Sequence, residues 1–190
     1  MNKPIDITDT VLTTDRLTLR PFRDSDLRDF YDYARVDGVG QMAGWNPHKN
    51  LEESRAILNL FIREKKTFAL EFQGKVIGSL GIEEYNEENY PELAALQGRE
   101  IGYVLAKDYW GKGLMPEAVN AVIGYLFEAE NLDFIICGHF ERNARSRRVI
   151  EKCGFHYIKT TRFETRYDTV ETSREYILYH PERSAHHADT

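Results

Sequence analysis

Residues 109–118, YWGKGLMPEA, constrain the fold of this chain more than any other segment. Two glycines flank a lysine, and an apolar stripe at helical spacing begins directly after them. Glycine lets the backbone approach a ligand closely, and the first N–H groups of a helix are unpaired and carry partial positive charge. The segment therefore predicts either an anion site, phosphate above all, at the start of a helix, or a tight strand-to-helix turn without a ligand.

The segments on either side of this turn have the patterns of an α/β protein. The strand-like stretch 99–106 leads into the turn, the helix after it is apolar on one face, and a buried strand is predicted at 133–140. Asn143 can cap a further helix that Gly154 ends. The helix after the turn has its apolar stripe at Ala118, Val119, Val122, Ile123, Leu126 and Phe127.

The rest of the chain completes the order of elements. Residues 16–22 predict a first strand, and two amphipathic helices follow, with a glycine-rich loop at 38–50 between them. A hairpin is expected at 67–82, and a strand pair at 155–163 and 172–179. The order β-α-α-β-β-β-α-β-α-β-β predicts a mixed sheet with helices on its faces.

Length and composition favour a single domain. With 190 residues we expect one domain over residues 1–182 and a frayed tail at 183–190. No apolar run approaches the ~20 residues of a membrane span, and no signal peptide is visible, so we expect a cytoplasmic protein. Cys137 and Cys153 are too few for a disulfide framework, and no cluster of ligands suggests a metal.

The charge is concentrated in one segment. The formal net charge is −6, and residues 83–92 contribute five glutamates and no cation. Because no basic face is present, we do not expect nucleic-acid binding. The acidic segment is either a solvated loop or a guide for a basic acceptor.

Three segments carry a resemblance to a known family. Residues 100–115 are similar to the central motif of the GCN5-related N-acetyltransferase (GNAT) superfamily, in which a glycine-containing loop cradles the pyrophosphate of acetyl-CoA. Residues 143–155, NARSRRVIEKCGF, resemble the superfamily's asparagine-containing helix. The opening TDRLTLRPF at 14–22 resembles the subgroup of bacterial ribosomal-protein N-terminal acetyltransferases. The resemblance extends over roughly residues 12–179.

This resemblance implies the GNAT fold and acetyl-CoA as co-substrate. The fold is an α/β sheet of about six or seven strands with about four helices, in which the family's fourth and fifth strands, here 99–106 and 133–140, splay apart. Met115 is bulkier than the family's usual small residue, but its N–H group is unchanged. The resemblance assigns to the cofactor Val104, Leu105, Ala106 and Asn143 along the pantetheine arm, and Gly111, Lys112, Gly113, Leu114 and Met115 around the pyrophosphate.

The resemblance also implies direct acetyl transfer to an amine, with two candidate catalytic residues. Glu100 is either the base or a structural carboxylate paired with Arg99 or a neighbouring strand; His139 is a weaker candidate for the base. Many members carry a helix tyrosine that protonates the departing thiolate, and this chain has Ile150 there. Ser146 is the nearest substitute, or else a local partner of the backbone.

The acceptor is the least constrained part of the prediction. Met42, Trp45 and His48, in the glycine-rich loop, are candidate acceptor contacts, although Trp45 could equally belong to the core. Deprotonating a lysine at pH 7 costs roughly 4.6 kcal/mol, whereas an α-amine costs only about 1.1 kcal/mol. This cost favours an α-amine, and the resemblance to the ribosomal-protein subgroup implies a protein N-terminal amine of that type. The alternatives are a small amine (a polyamine, an aminoglycoside or an amino-acid-like amine) or a non-catalytic acyl-CoA-binding protein, as monomer or homodimer.

Overall fold

The computed structural model describes residues 1–182, so the predicted frayed tail at 183–190 lies outside the described residues. Within that range the chain forms eight strands and four α-helices. The strands are β1 Leu12–Thr13, β2 Thr18–Pro21, β3 Thr67–Phe72, β4 Lys75–Glu83, β5 Gly98–Leu105, β6 Phe134–Phe140, β7 His156–Glu164 and β8 Val170–Tyr179. The helices are α1 Leu27–Ala34, α2 Leu51–Glu64, α3 Leu114–Gly124 and α4 Ala144–Lys152.

The strands form one mixed sheet in the order β1-β2-β3-β4-β5-β6-β8-β7. Only β5 and β6 are parallel neighbours; the other pairs are antiparallel. The predicted fold class is confirmed, with slightly more strands than the predicted six or seven. One strand missing from the prediction is β1, whose two residues are too short to show an alternating pattern.

The helices cover the two faces of the sheet. Side chains of α3 and α4 pack with Ile101, Leu105 and Cys137, whereas α1 and α2 pack with Ala69 and Val76. Because successive side chains of a strand point to opposite faces, the two sets of contacts define two separate hydrophobic layers. The apolar stripe predicted from residue 118 onward is buried in the first layer.

The sheet splits between β5 and β6. The two strands pair only from Gly98–Ile101 against Phe134–Cys137. Beyond Ile101, β5 remains paired with β4, and beyond Cys137, β6 remains paired with β8. The predicted splay is therefore present, and it opens a gap in the middle of the sheet.

The acidic segment 83–92 is exposed at most of its glutamates, as expected for a solvated loop, but contacts with the rest of the protein hold it in place. Glu83 pairs with Lys66 at 2.6 Å, and Glu84 lies 3.5 Å from Arg99. Glu87 accepts a hydrogen bond from the backbone N–H of Asn2 at 2.6 Å. The segment is held in place because its apolar residues Tyr85 and Tyr90, with Leu93 just beyond it, form a small core against Phe134, Ile136 and Ile177.

Both cysteines are buried free thiols. Among residues 1–182, no three histidine, cysteine or acidic side chains are grouped so that they could hold a metal ion. Over the same residues, no helix is both long enough and apolar enough to cross a membrane.

Candidate active site

The gap between β5 and β6 opens into a cleft of about 460 Å³. Its walls come from β5, β6, the turn before α3 with the first turn of that helix, α4, the β7–β8 hairpin, and Val39, Met42 and Ala43. Ten of the fourteen site residues predicted from the sequence line it: Met42, Glu100, Val104, Leu105, Gly111, Gly113, Leu114, Met115, Asn143 and Ser146. The other four, Trp45, His48, Ala106 and Lys112, lie outside its lining.

The turn before α3 has the geometry of an anion cradle. Gly111 and Gly113 have φ of +76° and +75°, a region that residues with a side chain rarely adopt. A Cβ atom placed on Gly111 would meet no atom within 4 Å, so the backbone there borders open space. Within residues 1–182, no hydrogen bond takes up the N–H groups of residues 111–113. These free N–H groups at a helix start fit a pyrophosphate.

A salt bridge from the start of the chain holds this cradle in place. Arg16 pairs with Glu117 in the first turn of α3 at 2.6 Å and donates a hydrogen bond to the Lys112 carbonyl at 2.9 Å. The Thr14 hydroxyl donates to the same carboxylate at 2.5 Å. The opening TDRLTLRPF therefore supports the cradle directly, a role that sequence analysis did not assign to it.

Cationic side chains other than the predicted Lys112 lie near the cradle. The ammonium of Lys112 lies 5.1 Å from the ring of Tyr109, which lines the cleft, although Lys112 itself does not. The guanidinium of Arg145 lies 4.6 Å from the ring of Trp110 and lines the cleft, as do Arg148 and Lys152 further along α4. Helix α4 therefore gives the cleft positive charge that sequence analysis did not identify.

In β5, only every second residue directs its backbone N–H and C=O groups toward the gap. The N–H group of Ala106 donates to the Ile77 carbonyl on β4 at 2.7 Å, so Ala106 is not free to contact a pantetheine arm. Because antiparallel pairs alternate, Val104 also directs its backbone groups to β4, whereas Tyr103 and Leu105 direct theirs to the gap. The Leu105 carbonyl there accepts a hydrogen bond from the Trp110 indole at 2.8 Å.

Two carboxylates line one side of the cleft. Burial, together with the nearby carboxylates of Glu175 and Glu83, raises the pKa of Glu100 from 4.5 to about 8. Glu175, on β8, is 8% exposed and accepts a hydrogen bond from Thr161 at 3.0 Å. A Cβ on Gly138 would lie 2.7 Å from the Glu175 carboxylate, which would then have to move.

The alternative reading of Glu100, a structural partner of Arg99, is not what the structure shows. Arg99 donates to the Lys3 carbonyl at 2.7 Å and faces Glu84. Within the described part of the chain, no hydrogen bond or ion pair engages the Glu100 carboxylate. It is therefore available to a ligand in the cleft.

Ser146 and a tyrosine meet on the other side of the cleft. Asn143 caps α4 by accepting a hydrogen bond from the Ser146 N–H at 3.2 Å, which leaves the serine hydroxyl free for other partners. That hydroxyl lies 2.9 Å from the phenol oxygen of Tyr103. Sequence analysis missed Tyr103 because GYVL has the pattern of an ordinary strand. The Glu100 and Tyr103 side chains point to opposite faces of β5, and the gap connects those faces.

Two of the three predicted acceptor contacts belong to the core. The His48 ring is buried, lies 2.7 Å from the Ser54 hydroxyl and packs against Phe30. Trp45 packs on Gly40, where a Cβ would come within 2.2 Å of its ring. We therefore withdraw both as acceptor contacts; Met42 alone of the three lines the cleft.

His139, the weaker base candidate, has partners at both ring nitrogens. Its Nδ1 lies 2.8 Å from the Phe140 carbonyl, and its Nε2 lies 3.3 Å from the Tyr176 hydroxyl. Both nitrogens are therefore engaged within the protein, as expected for a structural histidine.

The β7–β8 hairpin adds cleft residues that sequence analysis missed. Phe163, Ser173 and Glu175 line the cleft, as does Met42. Arg142 connects the two walls: it pairs with Glu171 at 2.9 Å and donates to the Gln41 carbonyl at 3.2 Å. No residue of the acidic segment 83–92 lines the cleft.

The comparisons with known proteins agree with this geometry. Residues 16–156 match the family model described as an acetyltransferase (GNAT) domain. The chain is 24% identical to the ribosomal protein uS5-alanine N-acetyltransferase of Escherichia coli over 153 residues, which are 76% of this chain and 77% of that protein.

Two solved structures share the fold. A GNAT-family acetyltransferase from Bacillus anthracis superimposes with a TM-score of 0.78 at 22% identity, over 90% of this chain and 99% of that one. A spermidine N-acetyltransferase from Vibrio cholerae, in complex with CoA and spermine, has a TM-score of 0.71 at 20% identity, over 90% and 99%. The chain belongs to the GNAT family and is an acetyl-CoA-dependent N-acetyltransferase.

Proposed function

We propose that this enzyme acetylates the N-terminal α-amine of a protein or peptide. The observation that carries the proposal is Glu100, a cleft carboxylate whose pKa is raised to about 8. An α-amine has a pKa of about 7.8, so proton transfer between the two groups is nearly balanced, whereas a lysine near 10.4 is poorly matched. The similarity to a ribosomal protein uS5-alanine N-acetyltransferase supports an acceptor on a protein.

The residues of the cleft divide the reaction between its two sides. Bound acetyl-CoA supplies the thioester, and the N–H groups of residues 111–115 hold its pyrophosphate. Glu100 accepts a proton from the incoming amine, which attacks as the neutral base. Ser146 is on the opposite side of the gap, where its hydroxyl donates a proton to the sulfur that leaves.

A second candidate acceptor is a polyamine. Glu175 gives the cleft a second carboxylate, and two negative charges favour an acceptor with more than one ammonium group. A structural neighbour is a spermidine N-acetyltransferase that binds spermine. The two candidates differ in what the cleft recognises: the N-terminus of a peptide, or a small molecule with several ammonium groups.

An acceptor screen separates these candidates. Purified protein with acetyl-CoA is offered a peptide that begins with alanine, the same peptide with a blocked α-amine and one internal lysine, and spermidine; release of the CoA thiol is followed. The proposal expects turnover with the free peptide only. Turnover with spermidine alone would replace it with the polyamine assignment, and turnover with the blocked peptide would contradict the pKa match.

A further inference from the structure

Tyr103 places a second hydroxyl group next to that of Ser146, the candidate acid predicted from the sequence. Its side chain lies on the face of β5 covered by α3 and α4 and lines the cleft. Its phenol oxygen is 2.9 Å from the Ser146 hydroxyl and 3.4 Å from the Ser146 carbonyl, so the shorter contact joins the two hydroxyls. The phenol of Tyr103, on β5, therefore contacts Ser146 in the first turn of α4.

Either hydroxyl can donate in this contact, and the phenol has a proton to donate. Burial raises the pKa of Tyr103 well above its usual value, so the phenol keeps its proton and can donate. A serine hydroxyl has one proton and two lone pairs. If the Ser146 oxygen accepts from Tyr103, its own proton must point elsewhere, and Ser146 faces the cleft.

We propose that Tyr103 is a positioning residue that donates to the Ser146 oxygen and thereby directs the Ser146 proton at the departing sulfur. This inference rests on the proposed function, in which Ser146 is the acid. The amine nitrogen bonds to the carbonyl carbon and its proton goes to Glu100; when the C–S bond breaks, its electron pair and the Ser146 proton go to sulfur. Ser146 then takes a proton from solvent and Glu100 releases one to solvent, so the two transfers balance. Tyr103 keeps its proton throughout and stabilises the serine oxygen while that oxygen is charged.

The first test removes only the phenol oxygen. Tyr103→Phe keeps the ring in the core, so we expect kcat with the alanine-starting peptide to fall on the order of 10- to 100-fold. The KM for acetyl-CoA should stay within about twofold, because no predicted cofactor contact is removed. Tyr157→Phe is the matched control: that phenol is exposed, bonds to Thr160 at 2.8 Å and lies outside the cleft lining.

The second test distinguishes positioning from packing. If Tyr103 acts through Ser146, Tyr103→Phe should cause no further fall in kcat in a Ser146→Ala background. Falls that multiply would show an independent structural role and overturn the proposal. An unchanged kcat in Tyr103→Phe or in Ser146→Ala would also overturn it.

Folding and function are checked separately. Each variant is titrated with acetyl-CoA by calorimetry, and binding equal to that of the wild type shows that the fold is intact. Failure of the proposed function has a different signature: wild-type protein that binds acetyl-CoA but turns over no N-terminal peptide. In that case kcat of the same variants is measured with spermidine as acceptor. Tyr103→Phe should again cause no further fall in kcat in the Ser146→Ala background, and falls that multiply would overturn the proposal.

Discussion

At the scale of single residues, the chemistry of the cleft depends on where neighbouring charges lie. Glu100 was predicted from its position at the start of a strand, but Glu175 lies 75 residues later and reaches the same cleft through the pairing of β8 with β6. The charge of Glu175 makes ionisation of Glu100 harder. The pKa of Glu100 therefore depends on a residue far away in the sequence.

Removing the charge of Glu175 should shift the pH dependence of the reaction. Without the like charge, the pKa of Glu100 falls, and the base is ionised at lower pH. We expect the acidic limb of kcat/KM, near pH 8 in the wild type, to move to lower pH in Glu175→Gln, and to flatten in Glu100→Gln. Glu151→Gln, which removes the same charge from the exposed pair with Arg147, is the control. An acidic limb at the same pH in Glu175→Gln would refute the coupling.

At the scale of elements, the strand-to-helix turn combines two demands on glycine. Its left-handed backbone excludes most side chains on steric grounds, and its open surroundings leave room for a ligand. Sequence analysis identified the turn and left both readings open. The free N–H groups and the adjacent cleft favour the anion site, and only the structure brings these features together.

A pair of matched substitutions separates the two demands. Gly111 and Gly74 both have positive φ, and a Cβ on either meets nothing within 4 Å, but Gly74 lies in the β3–β4 turn away from the cleft. We expect Gly111→Asp and Gly74→Asp to lose similar stability, on the order of 1 kcal/mol. Only Gly111→Asp should weaken acetyl-CoA binding, by tenfold or more, since its carboxylate faces the pyrophosphate.

Thermal unfolding and calorimetric titration measure the two effects. Equal acetyl-CoA affinity in Gly111→Asp and wild type would show that the turn is a structural feature without a cradle. Weakened binding in the Gly74 variant as well would point to a general loss of structure.

At the scale of the whole molecule, the buried position of Glu100 makes the stability of the fold depend on pH, because burial disfavours its ionised form. The pKa of Glu100 is about 8 in the folded protein, against 4.5 as its ordinary value. Between these values the folded state holds a proton that the unfolded state has released. The contribution of Glu100 to stability is therefore fully present below pH 4.5 and is lost as pH rises to about 8.

Replacing Glu100 by a neutral isostere should reverse this loss. We expect Glu100→Gln to raise the free energy of unfolding on the order of 2 kcal/mol at pH 8.5 and to change it little at pH 4. Urea unfolding at the two pH values measures the difference. Glu88→Gln, an exposed glutamate outside the cleft lining, is the control. Equal gains at both pH values would mean that Gln packs better, with no role for the charge.

What the sequence determined by itself is local. Helical periodicity in α3, the cap at Asn143, the glycine turn and the order of elements were all readable, because each depends on residues within a few positions of one another. The family motifs lie in these same segments, and so the fold class and the cofactor were predictable.

Only the tertiary structure decided the composition of the cleft. Trp45 and His48 turned inward to fill the space between α1 and α2, and Lys112 turned onto Tyr109. Glu175 reached the cleft because β8 lies between β6 and β7 in the sheet. Tyr103 reached Ser146 because α4 packs on its face of β5. Most of these contacts join residues tens of positions apart. Packing and strand order determine them, and no local sequence pattern encodes either.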